Sequence, residues 1–487
     1  MLSKSRFLAG LQCQLRLWYQ CYDRDLASGV SAAQQAVFDA GHEVGRLATQ
    51  LYPDGVLIDA PYYQHKQAVE STLRAMQDPE VKAIYEAAFL YDGVRIRVDI
   101  LKRLEDGSWN LVEVKSSTSV KEVYYPDVAV QYCVLEGCGL KIGRAGILHI
   151  DNLYVYDGQH LDLDSFFSFE DLTNDIKSML PKIQADLAEL KAMLVNSDAP
   201  EIQPSRHCHK PYDCEFWDHC TKDMPEFWVY HINGIGQNKL DELSDMGVLD
   251  IGDIPATFPL SQIQDRIRIS VANQQEYISE YLKTELSEMQ TPIHFLDFET
   301  IGPAIPRYAG TRPYQTIPFQ WSDHILSEDG KLDHCEYLCN EDKDPREEFT
   351  QTLLDALGTE GSIVIYTSYE SGVLNSIIEH FPKYTDELWA IIDRFKDLHA
   401  IIRGHYYHPK FYGSFSLKYV LPALVPEMSY DKLSIHDGMQ ASLDYLRMID
   451  PETPEKEKTR IRTELLTYCG QDTLAMVKIR DELLDRV

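Results

Sequence analysis

The chain has 487 residues, 44% of them hydrophobic and 25% charged. That is a globular composition, too long for one ordinary core, so two or three domains are expected. Lys and Arg number 46 against 77 Asp and Glu, a formal charge of −31, which argues against a general phosphate-binding surface because non-specific nucleic-acid affinity comes mostly from basic side chains. Acidic clusters that hold divalent ions add negative formal charge without excluding a nuclease. No apolar run approaches the ~20 residues of a bilayer span. The N-terminus keeps Arg16 inside its apolar stretch, so a cytoplasmic protein without membrane association is expected.

In chain order, the first block runs from residue 1 to about 222. It opens on a helical segment with Cys13, and Cys21 beyond it. VRIRVDIL (94–101) and WNLVEVK (109–115) read as strands, and Asp106-Gly107 between them is a hairpin turn signal. With a period of two, Glu113 and Lys115 share one face of their strand, and Asp99 on the neighbouring strand can point to the same side. Two carboxylates can hold a divalent cation, and a lysine beside them can orient water and stabilise charge on a phosphate. The same D-x13-E-x-K spacing also arises by chance on charged hairpins. Gln131-Tyr132 follows in an apolar stretch that suits a helix beside the site. After the strand GRAGILHI (143–150), Ile176, Leu180, Ile183, Leu187, Leu190 and Leu194 recur at helical spacing. The polar loop NSDAPEIQPS leads to HCHKPYDCEFWDHC, with Cys208, Cys214 and Cys220 spaced C-x5-C-x5-C. Zinc ribbons show C-x2–4-C pairs, so this spacing fits them poorly. Four thiolates from distant segments can instead hold an iron–sulfur cluster.

This block resembles the RecB and AddB nuclease domains and the CRISPR-associated RecB-like exonucleases, all of PD-(D/E)xK type. The resemblance implies catalytic roles for Asp99, Glu113 and Lys115, with Asp99 and Glu113 as metal ligands and Gln131 lining the site. It also implies a [4Fe–4S] cluster on Cys13, Cys208, Cys214 and Cys220, with zinc in the same ligands as the alternative. Cys21 reads as a packed thiol that could compete with Cys13. One departure concerns the metal-binding His that many relatives carry after a Gly-Arg-Leu-like sequence. Here Gly45-Arg46-Leu47 is followed by no His, and His42 and Glu43 are the nearby substitutes.

Residues 225–288 form a small, mostly helical block. Ile232-Asn233-Gly234-Ile235-Gly236 followed by Leu240, Leu243 and Val248 has the cadence of a helix–hairpin–helix. Its glycines would open backbone N–H groups towards a phosphate, with Lys239 as the local cation. An ordinary helix pair with a Gly turn is the equal alternative.

The last block, 291–487, opens on HFLDFET (294–300), apolar on both faces apart from Asp297 and Glu299. A central, doubly covered strand fits that pattern. Two acids at i and i+2 in such a strand are costly unless they bind something, and a divalent metal is the simple answer. IVIYTSYESGVL (363–374) reads as a strand running into a turn and helix, with Glu370 at the strand end. Tyr468 and Asp472, at i and i+4, share a face of a terminal helix. Together these residues resemble the DEDD exonucleases of RNase H fold. The resemblance implies two-metal hydrolysis with Asp297, Glu299 and Asp472 as metal ligands, Glu370 in place of the family's second-motif Asp, Tyr468 orienting water and Asp397 in support.

The expected protein is therefore an α/β multi-domain nuclease: a PD-(D/E)xK restriction-endonuclease-like core with an Fe–S cluster, a helical middle, and an RNase H-like C-terminal domain. It would use Mg2+ or Mn2+ to hydrolyse DNA, at single strands or ends, in repair or defence against foreign DNA, with protein partners in such a complex. An RNA exonuclease is one alternative. A nucleic-acid-binding scaffold with one or both sites decayed is the other.

Overall fold

A computed structural model describes residues 1–196, 198–430 and 433–487. The chain is an α/β multi-domain protein with mixed sheets and many helices. It divides into two compact units. Unit 1 comprises Met1–Asp223 with Pro303–Tyr314, and unit 2 comprises Met224–Gly302 with Gln315–Val487.

Unit 1 is built on a seven-stranded mixed sheet. Its strands are β1 (Leu2–Ser3), β2 (Val56–Leu57), β3 (Ala83–Tyr91), β4 (Val94–Arg103), β5 (Trp109–Lys115), β6 (Ile142–Ile150) and β7 (Phe167–Asp171). The order is β2-β3-β4-β5-β6-β7, with β1 pairing in parallel on β4. The hairpin expected at Asp106-Gly107 joins β4 to β5. Gly107 supplies a positive φ of 78°, and the Asp106 carboxylate accepts the Ser108 N–H at 3.0 Å. One face of the sheet is covered by the helices Tyr125–Gly137 and Thr173–Met193, through Val128, Leu135, Ile176, Ile183 and Leu187. The first of these helices is buried on nearly every side, so a polar residue on it must find partners inside the protein. The other face packs Val44 and Ala48 of the helix Ala32–Thr49 against Tyr85, Ile100 and Val112. The segment Pro303–Tyr314 joins this unit through paired bonds, Gly310 N–H to Tyr156 O at 2.8 Å and Tyr156 N–H to Thr311 O at 3.0 Å.

Unit 2 holds β8 (Tyr277–Ile278), β9 (Ile293–Ile301), β10 (Ile317–Leu326), β11 (Leu332–Leu338), β12 (Ser362–Ile365), β13 (Phe395–Asp397) and β14 (Tyr406–Tyr407). Five of them form the sheet β11-β10-β9-β12-β13, and β8 pairs with β14. β9 is central, antiparallel to β10 and parallel to β12. Leu296 and Phe298 point into a core with Trp321, Phe349, Leu353 and Ile363. Asp297 and Glu299 therefore face the other side. That side is covered by the long helix Glu455–Asp485, which receives the Gln320 side-chain N–H on Leu465 O at 2.9 Å.

The block at 225–288 lies within unit 2. Gly234 has φ 68° and Gly236 caps the helix Gln237–Asp245. A capping box of Ser261 with Gln264 starts the next helix, Gln262–Asn273, and Gln264 donates to Asn233 O at 3.3 Å. Lys239 donates to the Gln264 side-chain Oε1 at 3.4 Å. The block meets the C-terminal part at Gly413, whose φ is 80° and where an added Cβ would lie 2.0 Å from His231 O. A methyl group there must displace backbone. Gly413→Ala is expected to cost about 2–4 kcal/mol of unfolding free energy, the sum of a strained left-handed residue and an overpacked approach. Chemical denaturation of the full chain measures it, and a loss below about 0.5 kcal/mol would contradict this account of the junction.

Candidate functional site

In unit 1 the structure brings Asp99, Glu113, Lys115 and Gln131 together. β4 and β5 pair as far as Ile100 and Val112. Beyond that point the Asp99 carboxylate replaces the ladder and accepts the Val114 N–H at 2.7 Å. Glu113 is 2% exposed. Its Oε2 takes the Gln131 amide at 2.7 Å and its Oε1 takes the Lys115 ammonium at 2.8 Å. Two further residues complete the group. Asp127, on the same helix as Gln131, accepts Lys115 at 2.6 Å. Lys4, at the start of the helix Lys4–Gln12, lies 2.8 Å from Glu113 Oε1 and 3.1 Å from Asp127 Oδ1. Asp127 carried a local signal, since it stands four residues before Gln131 on one helix. Lys4 carried none.

The charges explain how this group is held. Burial raises Asp99 to about 7, with the Glu113 charge adding to it and Lys4 and Lys115 opposing. Burial pushes Glu113 up as well, but the two ammonium groups outweigh it and carry the carboxyl well below its usual range. Burial acts to lower Lys4, yet Asp127, Glu113 and Asp99 hold it well above its ordinary value. His42 and Glu43 stay exposed on the helix Ala32–Thr49.

The four cysteines lie on segments that other side chains tie together. Cys13 sits in extended backbone between the helices Lys4–Gln12 and Gln14–Tyr22. Gln12 donates to His207 O at 2.8 Å, and Arg16 pairs with Glu215 at 2.7 Å. Cys208 is buried in the turn Arg206–His209, and its carbonyl accepts the Cys214 N–H at 2.8 Å. Cys220 lies on the short helix Trp217–Thr221. Burial raises Cys208, and lifts Cys214 to about 12 and Cys220 to about 11, and both Cys208 and Cys220 also feel Cys13. Cys21 is a partly buried thiol packed against the unit's core. Among the described residues no three of these sulfurs approach within 4.8 Å of one another, a wider spacing than the ~3.8 Å between sulfurs of a tetrahedral zinc site.

In unit 2, Asp297, Glu299, Glu370, Tyr468 and Asp472 converge. Asp297 and Glu299 project from β9, and Glu299 is 6% exposed. Asp472 accepts hydrogen bonds from the Tyr430 hydroxyl and from Tyr468. Glu370 stands in the first turn of the helix Tyr369–His380, one element beyond the strand end expected for it. It is 2% exposed, and its Oε2 has no hydrogen-bond partner among the described residues. Asp397 caps the helix Leu398–His405 through the Ala400 N–H at 3.0 Å, and the same oxygen takes the Thr367 N–H at 3.2 Å. It thereby fixes the loop that leads into Glu370. Cys469 and Tyr430 belong to the group as well. The Cys469 thiol is buried and donates to Asp297 Oδ2 at 3.6 Å, and one ligand atom each of Asp297, Glu299 and Cys469 falls within 4.8 Å.

No salt bridge among the described residues reaches Asp297, Glu299, Glu370 or Asp472. Burial first, then Asp472, Glu299 and Glu370, drives Asp297 well above the carboxylate range. Burial followed by Asp472, Asp437 and Glu370 does the same to Glu299. Burial, with Asp397, takes Glu370 to about 8, and burial takes Asp472 to about 6 against the pull of Tyr430 and Lys418. Among the described residues this site has no ion pair like those of Lys4 and Lys115 in the first. Its donor set of hard carboxylate oxygens, one of them orphaned, fits a divalent cation.

Residues 294–416 match the profile of a family described as a domain of unknown function, DUF2779. The match spans Asp297, Glu299 and Glu370 and stops before Tyr468 and Asp472. No curated protein matches the chain at a significant level. Among solved structures the chain is similar to one titled "Crystal structure of SSO0001", at 15% identity and a TM-score of 0.21, over 46% of this chain and 87% of that one.

The raised carboxyls set a pH dependence. Their folded values lie above the ~4 of an unfolded chain, so from about pH 4 to 8 the folded state holds protons that the unfolded state has lost. Stability of the metal-free protein therefore falls as pH rises through that window, and Asp99 acts in the same direction. In EDTA the Tm is expected to be lower near pH 8 than near pH 5.5, with Mn2+ restoring it at the higher pH and Asp297→Asn flattening the profile. A Tm that climbs with pH in EDTA would refute the uncompensated cluster.

Proposed function

We propose that this chain is a divalent-metal-dependent nuclease that hydrolyses DNA phosphodiester bonds, exonucleolytically at single strands or ends, and that its reaction runs in unit 2. One observation carries the proposal. Three buried carboxylates, Glu299, Glu370 and Asp472, and the half-buried Asp297 stand together, and none of them has a salt-bridge partner among the described residues. Such an arrangement is costly unless cations complete it. On this reading unit 2 contains an RNase H-like exonuclease domain of DEDD type, with the helical block at 225–288 offering backbone N–H groups to phosphate. Asp297, Glu299 and Asp472 would hold Mg2+ or Mn2+, with Glu370 beside them. When bound, those ions supply the positive charge that an in-line displacement at phosphorus requires.

The chain's own residues have distinct tasks in that reaction. Tyr430 and Tyr468 hold Asp472 by hydrogen bonds. Burial and the surrounding carboxylates keep the Tyr468 phenol protonated, so its one O–H serves Asp472 while its oxygen can accept from and orient water, and it does not act as a base. Burial and Asp297 likewise keep Cys469 a neutral thiol. Asp397 fixes the loop before Glu370.

Unit 1 is proposed to be a RecB-like domain of PD-(D/E)xK type. Cys13, Cys208, Cys214 and Cys220 would hold a [4Fe–4S] cluster that pins the first helices to the loop 206–220. The tight hydrogen bonding between these segments supports the assignment. For the chemistry of this unit one observation favours the other reading, a site that binds or scaffolds without cutting: its carboxylates already face the two ammonium groups of Lys4 and Lys115. DNA is the favoured partner and RNA the alternative, in repair or in defence against foreign DNA within a larger protein complex.

Anaerobically purified protein is expected to absorb broadly near 400 nm and to carry about four irons per chain. It is expected to degrade end-labelled single-stranded DNA with Mn2+ or Mg2+ and not in EDTA. Asp297→Asn should lower the rate by more than the roughly 10–100-fold that loss of a supporting residue costs a metal site, whereas Lys115→Ala should leave most of it. Absence of metal-dependent cleavage of single-stranded DNA, duplex DNA and RNA alike would overturn the proposal.

A further inference from the structure

We infer that the ammonium of Lys4 is the resident cation of the acidic site in unit 1, and that this site accepts a divalent ion only when Lys4 is removed. The inference concerns unit 1 alone and stands whether or not the activity proposed for unit 2 is found.

The occupancy of the carboxylate oxygens comes first. Glu113 Oε1 is shared by Lys4 and Lys115, each at 2.8 Å, and Oε2 takes Gln131 at 2.7 Å. Asp127 presents one oxygen to Lys4 at 3.1 Å and the other to Lys115 at 2.6 Å. Asp99 Oδ2 is spent on the Val114 N–H. A divalent ion binds carboxylate oxygen at about 2.0–2.6 Å. An ion on Glu113 would therefore stand beside two ammonium groups, and like charges at that range repel strongly in a buried setting. The charge count agrees. Three carboxylates, Asp99, Glu113 and Asp127, against the two ammonium groups of Lys4 and Lys115 leave a single formal negative charge. Only the unit 2 cluster, among the described residues, brings three acid or thiol ligand atoms within 4.8 Å.

Lys4 is also placed by the fold. β1 pairs Leu2 with Val94 and Ser3 with Arg95, and Leu2 is 1% and Phe7 0% exposed. Ser3 caps the helix by accepting the Arg6 N–H at 3.2 Å. That anchoring puts Lys4 in the first turn, where no acidic side chain stands and where the helix dipole disfavours a cation. The position makes electrostatic sense only because Glu113 and Asp127 meet the ammonium there.

The test counts Mn2+ by electron paramagnetic resonance on the full chain carrying Asp297→Asn and Glu299→Gln, so that ions bound in unit 2 do not contribute. This parent is expected to bind no ion that Glu113→Gln removes. Adding Lys4→Gln should create one Mn2+ site, at least about tenfold tighter than any in the parent, and Glu113→Gln should abolish it. Lys4→Arg, which keeps the cation, should bind none. If Lys4→Gln is unstable in EDTA, Mn2+ should raise its Tm and leave that of the parent unchanged. A Glu113-dependent ion in the parent would overturn the inference. So would a Lys4→Gln chain that neither gains an ion nor is stabilised by Mn2+. Failure of the unit 2 reading would show separately, as unchanged Mn2+ binding when Asp297 and Glu299 are restored.

Discussion

An ionised carboxylate taken out of water loses several kcal/mol of hydration, which a counter-charge, a proton or a set of hydrogen bonds must offset. Both units of this protein bury carboxylates on a sheet, and they meet the constraint in opposite ways. Unit 1 brings Lys4 and Lys115 onto Glu113 and Asp127, so that Glu113 stays ionised even at 2% exposure. Among the described residues, unit 2 hydrogen-bonds its carboxyls with the neutral donors Tyr430, Tyr468 and Cys469, and burial and mutual repulsion push those carboxyls up instead. The chemistry available to each site follows from that difference. A compensated network is a rigid structural device. An uncompensated one has affinity for whatever cation reaches it.

The sheets set these positions. In unit 1 the β4–β5 ladder stops at Ile100 and Val112, and the Asp99 side chain fills the gap, which leaves Glu113 and Lys115 pointing into a space closed by the helix Tyr125–Gly137. In unit 2 the period of two on β9 sends Leu296 and Phe298 into the core and Asp297 and Glu299 under the helix Glu455–Asp485. That helix places Tyr468, Cys469 and Asp472 together because residues one turn apart share a face. Rigid elements carry most of the site. Glu370 comes from a turn into a helix, and Asp397 steadies that turn.

What was legible in the sequence were features with a local period. The hairpin at Asp106-Gly107, the facing of Glu113 and Lys115, the helix through Ile176, Ile183 and Leu187, and the pairing of Tyr468 with Asp472 all follow from spacings of two, three or four residues. Lys4 is 109 residues from Glu113, and only the parallel pairing of β1 on β4 brings them together, so no spacing could announce it. Asp127 was within reach of the same i, i+4 argument that places Gln131. Cys469 escaped because attention to one helix face selects Tyr468 and Asp472, whereas its thiol reaches Asp297 from the adjacent position. The block at 225–288 reads as separate by composition. It packs within unit 2 through the β8–β14 pairing, Arg266 on the Arg403 and Gly404 carbonyls, and Gly413, whose significance is set by the close approach of His231 O and not by its neighbours in sequence.

The same constraint changes the meaning of the net charge. A formal value of −31 counts every Asp and Glu as ionised, and read that way it opposes any polyanionic partner. The carboxyls of unit 2 do not behave so. With Glu370 raised to about 8 and Asp297 and Glu299 driven well above the usual carboxylate range by burial and mutual repulsion, the cation-free site carries less charge at neutral pH than its composition implies. Two divalent ions would match four ionised carboxylates charge for charge, leaving a site that no longer repels a phosphodiester. The acidity that argues against a nucleic-acid surface and the acidity proposed to cut nucleic acid are thus separable. The first is spread over solvated side chains and screened within about 10 Å at ordinary salt. The second is confined to a few buried groups whose charge is settled by protons and cations.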